Sequence, residues 1–428
     1  MILIKNARLI LKGNETVLSD ILIDREKIIK VAQNIDESSA DKVYDVAGAL
    51  TLPGGIDVHV HLREPGFEEK ETIRTGTRAA LAGGYTSIFP MPNIKPNPDN
   101  VKDIRAYQEL IEKDALVNVY PYAAITLGSK GMEPVDFADI KRQTDINIFT
   151  DDGVGVQNDL VMRTAFEEVR KQGGIIACHT EDMTYRKAGS SVHDGARAKA
   201  MGWIGIPSET EFVQAERDLK LAYETGAKYH ICHISAKETI EALRKYKALG
   251  CDCSGEITCH HLLLTEDDVK DTNYKMNPPL RTKEDREALI GALLDGTVDI
   301  IANDHAPHTE AEKARDMAAA PFGIVGLETS IPLIYTNFVK KGIFSLEQFQ
   351  AFISTNPAKR FGLKSKGMIK AGYDADIIVL SDEERVIDKN KFYSKGKNTP
   401  FDGMTAQGFP IYTFVGGECK FEKGVIYE

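Results

Sequence analysis

Two histidines, His59 and His61, close a short apolar run within Pro53–Pro65, PGGIDVHVHLREP. In a strand, residues i and i+2 project to the same face, so both imidazoles aim at one point. Neutral imidazole nitrogen is a good ligand for zinc-type ions, and two of them on one rigid element make part of a metal site. Arg63 follows two residues later and sets a cationic fork beside them. A His-x-His pair alone is more often a packed or hydrogen-bonded pair. The reading therefore depends on further ligand types at matching places. They occur at Asp151-Asp152, His179, His233 and Asp304-His305, with His308 just beyond. Each of these ends an apolar run of strand type.

Eight such runs cover the middle of the chain: 54–61, 85–92, 117–125, 146–152, 174–181, 228–235, 251–258 and 298–305. Most gaps between them carry helix-patterned segments, for example KETIRTGTRAALAGG and NDLVMRTAFEEVRKQGG, the latter closing on Gly173-Gly174. Eight β-α units over about 300 residues predict an α/β protein built on a (β/α)8 barrel. A doubly wound open sheet is the second choice, because no early Gly-x-Gly-x-x-Gly turn is present. Residues 1–51 and the tail after about 366 hold only short β-type runs, too little apolar surface for two separate domains. They are expected to pair as one small β-sandwich domain (1–51 plus 366–428), with the barrel (52–365) inserted between the halves.

In a barrel, chemistry gathers at the C-terminal ends of the strands. Side chains from five strand ends meet only if the sheet closes there. Singly, His179 reads as a core histidine and Asp151 or Asp304 as a helix cap. Together, four histidines and two aspartates at five strand ends predict a binuclear metal site. Two divalent ions need a bridging anion, and with no lysine between Lys141 and the fourth strand end, Asp151 is the expected bridge. Asp152 is the second choice, expected to point the other way. His193 lies in a polar loop, His230 is expected on the face opposite His233, and His260 and His261 are assigned no role.

Composition is that of a globular chain, 42% hydrophobic and 27% charged, with formal net charge −11. That charge and the absence of a basic block argue against nucleic acid as a partner. No run reaches membrane-spanning length, and MILIKNARLILKGNE is too broken by charge for a signal peptide. Six scattered cysteines fit reduced thiols and a cytoplasmic location.

With these residues assembled, the chain resembles the dihydroorotases of the amidohydrolase superfamily, closest to the bacterial class of similar length. DVHVHLREPG (57–66), PMPNIKPNPD (90–99), FTDDGVGVQ (149–157), ACHTED (177–182), CHISAK (232–237), MNPPLR (276–281), NDHAPH (303–308) and PFGIVGLET (321–329) carry the resemblance over essentially the whole chain. Ile94 and Asn303 depart from common family residues, at positions that are not expected ligands.

The resemblance implies two zinc ions, one held by His59, His61 and Asp304, the other by His179 and His233, with Asp151 between them. It implies a reversible reaction between L-dihydroorotate and N-carbamoyl-L-aspartate, with Asp304 as proton shuttle. Arg63, Asn93 and His308 would hold the substrate carboxylate, and Asn277 would read the ring amides beside Phe322 and Gly323. Asp57 is the candidate for orienting a ligand imidazole. A homodimer is implied, as is association with aspartate transcarbamoylase in some relatives. The polar, alanine-rich segment 306–320 reads as a mobile lid. Two other readings remain open: a hydantoinase or dihydropyrimidinase, whose rings lack the carboxylate, and a non-catalytic partner subunit.

Overall fold

The computed structural model describes residues 1–428. Eight parallel strands fall one within each apolar run. Gly55–Val60, Tyr85–Pro90 and Asn118–Val119 form one sheet; Ile148–Phe149, Ile175–Cys178, Lys228–Ile231, Cys253–Thr258 and Ile300–Ala302 form a second. Single parallel bridges join the sheets at both margins, Ala123 with Phe149 and Val60 with His305. At the second margin His61 N–H donates to His305 O at 2.8 Å, which ties the His-x-His segment to the loop carrying Asp304.

The helices between strands begin where side chains can satisfy their free N–H groups. Thr72 and Thr75 make a capping box at the start of Ile73–Gly83, and the Asn158 side chain accepts from Leu160 and Val161 N–H at the start of Asp159–Lys171. Gly84, with φ 86°, ends the first helix in the left-handed region. Helices and parallel strands enclose one apolar core of 84 buried residues. Every residue of Gly55–Val60, Tyr85–Pro90 and Cys253–Thr258 is buried. These strands are covered on both faces, which removes the polar-apolar alternation that would reveal which face a side chain takes.

The two chain ends meet in a single nine-stranded sheet. Its order runs Val425–Ile426, Glu418–Glu422, Pro410–Val415, Ile377–Leu380, Leu50–Pro53, Ile2–Lys12, Glu15–Asp24, Lys27–Ala32, with Lys42–Asp45 pairing on Ile2–Lys12. The seam between the ends is antiparallel, Ile377 opposite Pro53 and Leu380 opposite Leu50. The layers expected of a sandwich are thus parts of one continuous hydrogen-bonded sheet. A bulge between Ile4 and Ala7, where Asn6 takes φ 56°, shifts the buried set from Ile4 to Ala7 and Leu9. These join Ile21, Ile23, Tyr44, Ile377, Val379, Tyr412 and Phe414 in a separate apolar cluster.

Two lysine side chains hold carbonyls of the segment 306–323, which includes the expected lid. Lys275 Nζ donates to Met317 O at 2.7 Å, and Lys313 Nζ donates to Pro321 O at 3.1 Å and Gly323 O at 3.0 Å. Both lysines are buried and neither has a carboxylate partner.

Candidate metal centre and substrate pocket

At the ends of the parallel strands His59, His61, Asp152, His233 and Asp304 converge, all buried. Two sets have ligand atoms within 4.8 Å of one another: His59, His61 and Asp304, and His59, Asp152 and His233. His59 Nε2 stands 3.5 Å from Asp152 Oδ1 and 3.5 Å from Asp304 Oδ1. Those gaps are long for hydrogen bonds. They match the edge of a coordination tetrahedron, which for bonds of about 2.0–2.1 Å is roughly 3.3–3.4 Å. His59 Nε2 and Asp152 Oδ1 are also buried without any hydrogen-bond partner. Orphaned donor atoms facing a common point are what a cation requires, so the residues fit a metal. His179 joins through His233, its Nδ1 2.9 Å from His233 Nε2.

The electrostatics agree. Burial disfavours a charged His59, yet the Asp152 and Glu256 carboxylates beside it hold its pKa up at about 10. Burial likewise opposes ionisation of Asp304, but the His61 hydrogen bond and the nearby His59 hold it well below the usual carboxylate range. The centre is a buried anionic pocket that attracts positive charge. Strain collects here too: His233 (φ 31°), Asp304 (φ 48°) and Arg63 (φ 63°) are non-glycine residues with left-handed backbones.

The carboxylate facing the histidines is that of Asp152, and this corrects the expectation for Asp151. Asp151 turns the other way and accepts from Ile125 N–H at 2.8 Å and Thr126 N–H at 3.1 Å, with the Thr126 hydroxyl as a third donor. Phe149 packs 4.9 Å from Phe137 of the helix Phe137–Thr144. Alternation then sends Asp151 to the same side as Phe149 and Asp152 inward.

Asp57 also differs from expectation. It accepts from the His59 backbone N–H and from Asn303, not from an imidazole. The orienting carboxylate is Glu256, 2.8 Å from His59 Nδ1, 3.0 Å from His230 Nε2 and an acceptor for His233 N–H. His230 therefore points into the same interior as the ligand cluster. Parity failed because the strand ends at Ile231 and His233 lies beyond it with φ 31°. Glu256 was missed, although a glutamate near the apolar end of the run 251–258 was a usable signal. His261 braces the turn at Asn277 by contacting Pro278 O at 3.1 Å.

Beside the cluster lies a cavity of about 210 Å³ lined by His61, Asp152, His179, His233 and Asp304 on one side and by Arg63, Asn93, Asn277, His308, Phe322 and Gly323 on the other. Asn93 Nδ2 donates to Asp152 O at 2.7 Å. His308 Nε2 lies 2.8 Å from Phe322 O and 3.4 Å from Arg63 Nη2. A carbonyl can only accept, so Nε2 carries the proton and offers no lone pair to Arg63. Arg63 Nε donates to Pro307 O at 3.3 Å, and its Nη groups are left to meet an anion. Burial, reinforced by Arg63, lowers the His308 pKa to about 3, so the imidazole is neutral. Gly323, φ 129°, leaves no room for a side chain: a Cβ would lie 2.6 Å from the Ala306 Cβ. Asn277 Nδ2 lies 3.0 Å from Glu181 Oε2 and 3.2 Å from His179 Nε2. Glu181, also unforeseen, contacts His179 Nε2 at 3.2 Å and pairs with Arg186.

A family model described as Dihydro-orotase-like matches residues 48–239, and one described as Amidohydrolase family matches residues 338–421. An L-hydantoinase (dihydropyrimidinase) from Arthrobacter aurescens superimposes with a TM-score of 0.90 at 27% identity, covering 100% of this chain and 97% of that one. Fold and matched families together define an amidohydrolase of α/β architecture. Two curated relatives named dihydroorotase, from Bacillus caldolyticus and Geobacillus kaustophilus, are each 49% identical over 98% of this chain and 99% of their own. The chain belongs to the dihydroorotase family.

Proposed function

We propose that this cavity interconverts L-dihydroorotate and N-carbamoyl-L-aspartate, the ring-closing step of pyrimidine synthesis. The observation that carries this reading is the Arg63 guanidinium, anchored through Nε on Pro307 O and with no carboxylate partner, in the same cavity as the His-Asp cluster. An uncharged cyclic ureide has no use for it. The ligand set we infer is His59, His61 and Asp304 for one ion and His179 and His233 for the other, with Asp152 between. Zinc is the expected metal, two per chain, because imidazole and carboxylate donors suit it. When bound, such ions supply an activated water and polarise the ring carbonyl.

The chain's own groups do the rest. Arg63 and Asn93 hold the substrate carboxylate, joined by His308 once its Nε2–H turns from Phe322 O to the anion. A planar guanidinium matches it with two parallel hydrogen bonds, fixing the ring against the cluster. Asn277 reads the ring amides against the wall formed by Phe322 and Gly323. Asp304, kept ionised, takes the proton of the attacking water and delivers it to the departing ring nitrogen. In the opposite direction it takes that proton back as the ring closes.

Supporting the architecture, the two single bridges lead us to read the eight parallel strands as one closed (β/α)8 barrel. Residues 1–51 with 366–428 form the composite domain in this reading. We also infer a cytoplasmic homodimer; sedimentation with and without aspartate transcarbamoylase tests both assembly states.

The functional test is metal content measured beside hydrolysis of dihydroorotate and dihydrouracil, before and after chelation and zinc return. About two metals per chain, with dihydroorotate turnover lost and restored, is the expected result. Turnover of dihydrouracil alone would favour the hydantoinase reading, which the Arthrobacter likeness in fold supports.

A further inference from the structure

We infer that Asn398, contributed by the C-terminal part of the chain, is a positioning residue for the substrate-carboxylate clamp; this rests on the dihydroorotase reading. Asn398 is 3% exposed, and its side chain is fully engaged. Its Oδ1 accepts from His308 N–H at 3.1 Å, while Nδ2 donates to Ala306 O and to Gly323 O, each at 3.0 Å. Its own carbonyl accepts from Val325 N–H at 2.9 Å. One acceptor facing an N–H and one amino group facing two carbonyls admits a single orientation of the amide. The side chain thus ties Ala306–His308 to Gly323, two adjacent segments that also meet where Ala306 N–H donates to Ile324 O at 2.8 Å. His308 and Gly323 both line the substrate cavity.

The strap that carries Asn398 is itself fastened to the catalytic part. Glu71, buried, accepts from the Ser394 hydroxyl and from Lys395 N–H at 3.1 Å, and contacts His305 Nε2 at 3.3 Å. Glu328 accepts from Tyr393 N–H at 3.0 Å and Ser394 N–H at 3.1 Å. Gly396 permits the close approach: a Cβ there would lie 2.7 Å from both the Pro307 Cβ and Val325 Cγ1. Residues 393–398 are therefore seated on the loop that follows Asp304. Removing the Asn398 amide frees the His308 backbone while leaving every residue of the His-Asp cluster in contact with its own partners. The consequence falls on capture of the anionic substrate, not on the chemical step.

The test uses metal-loaded, full-length enzyme. Asn398→Ala is expected to raise KM for dihydroorotate about tenfold, with kcat held within about threefold. Metal content should be unchanged, and the Kd for orotate, which bears the same carboxylate, should rise in parallel. In a His308→Ala background the same change should add less than about twofold, because the two residues act as one unit. Equal factors in both backgrounds, or an unchanged KM, would overturn the inference. If Asn398→Ala does not fold, Asn398→Asp keeps the acceptor for His308 and loses both donors. A rise in KM that again requires His308 is then expected, and wild-type KM would count against the role. Failure of the dihydroorotase reading itself looks different: the wild type would spare dihydroorotate and bind orotate no better than uracil.

Discussion

In the His-Asp cluster, the side chains leave the ends of strands whose backbones are held by parallel ladders, and one buried carboxylate, Glu256, meets His59 from behind. Across the same cavity, Arg63, Asn93, Asn277 and His308 sit on loops. Those loops are held by side chains reaching backbone atoms: Asn398 on His308, Lys313 on Gly323, Lys275 on Met317. A cation centre tolerates little movement, so it is built where the backbone is stiffest. Substrate recognition is built on loops that a few polar hubs can set or reset.

Substitutions on the two sides should therefore fail differently. Asp304→Asn should have the largest effect, lowering kcat by about 10²–10⁴ as the loss of a general base does; near-normal turnover would remove its proton-transfer role. Asp152→Asn should abolish activity together with metal content, whereas Asp151→Asn should retain metal and lose thermal stability. Metal analysis of both proteins separates the two neighbours, and metal loss in Asp151→Asn alone would restore the original assignment.

Glu256→Gln should weaken metal affinity by about 10–100-fold, as expected when a ligand's supporting carboxylate is removed. Competition with a chelator measures it. On the clamp side, Arg63→Lys should raise KM about tenfold and spare metal content, because a point charge replaces a planar fork; steady-state kinetics on dihydroorotate reads this directly.

The smallest change concerns an acid outside both regions. Burial pushes the Asp218 carboxyl up to about 6, although Arg217 Nε lies 2.8 Å away. A folded pKa raised above the unfolded 3.8 contributes stability that is full below pH 3.8 and lost as pH rises through about 6. Asn at 218 should flatten the melting temperature between those values. An unaltered slope would show that Asp218 does not titrate there.

The legible parts of the sequence were those set by local pattern. All eight parallel strands fall inside the apolar runs, and the helix starts at Thr72 and Asn158 carry their caps in the residue types themselves. His59 and His61 reach the same cluster although the strand ends at Val60, because His61 N–H is still held in place by His305 O. What the pattern did not reach was direction and partnership. Asp151 and Asp152 are adjacent acids just beyond Ile148–Phe149, a strand buried along its length, where no polar side marks the outside. Only Phe149 packing on Phe137 decides that Asp152 turns inward. His230 was misdirected because alternation ends with the strand, one residue before Cys232.

By itself, then, the sequence determined the residue types of the cluster, their order along the chain and the strands they follow, since these come from composition and period. Tertiary structure alone decided which acid faces the histidines, that Glu256 stands behind His59, and that Asn398 reaches His308 from 90 residues away. Each of those is a contact between distant segments. Side-chain direction in a doubly covered strand and the meeting of remote loops are set by packing, which no local pattern records.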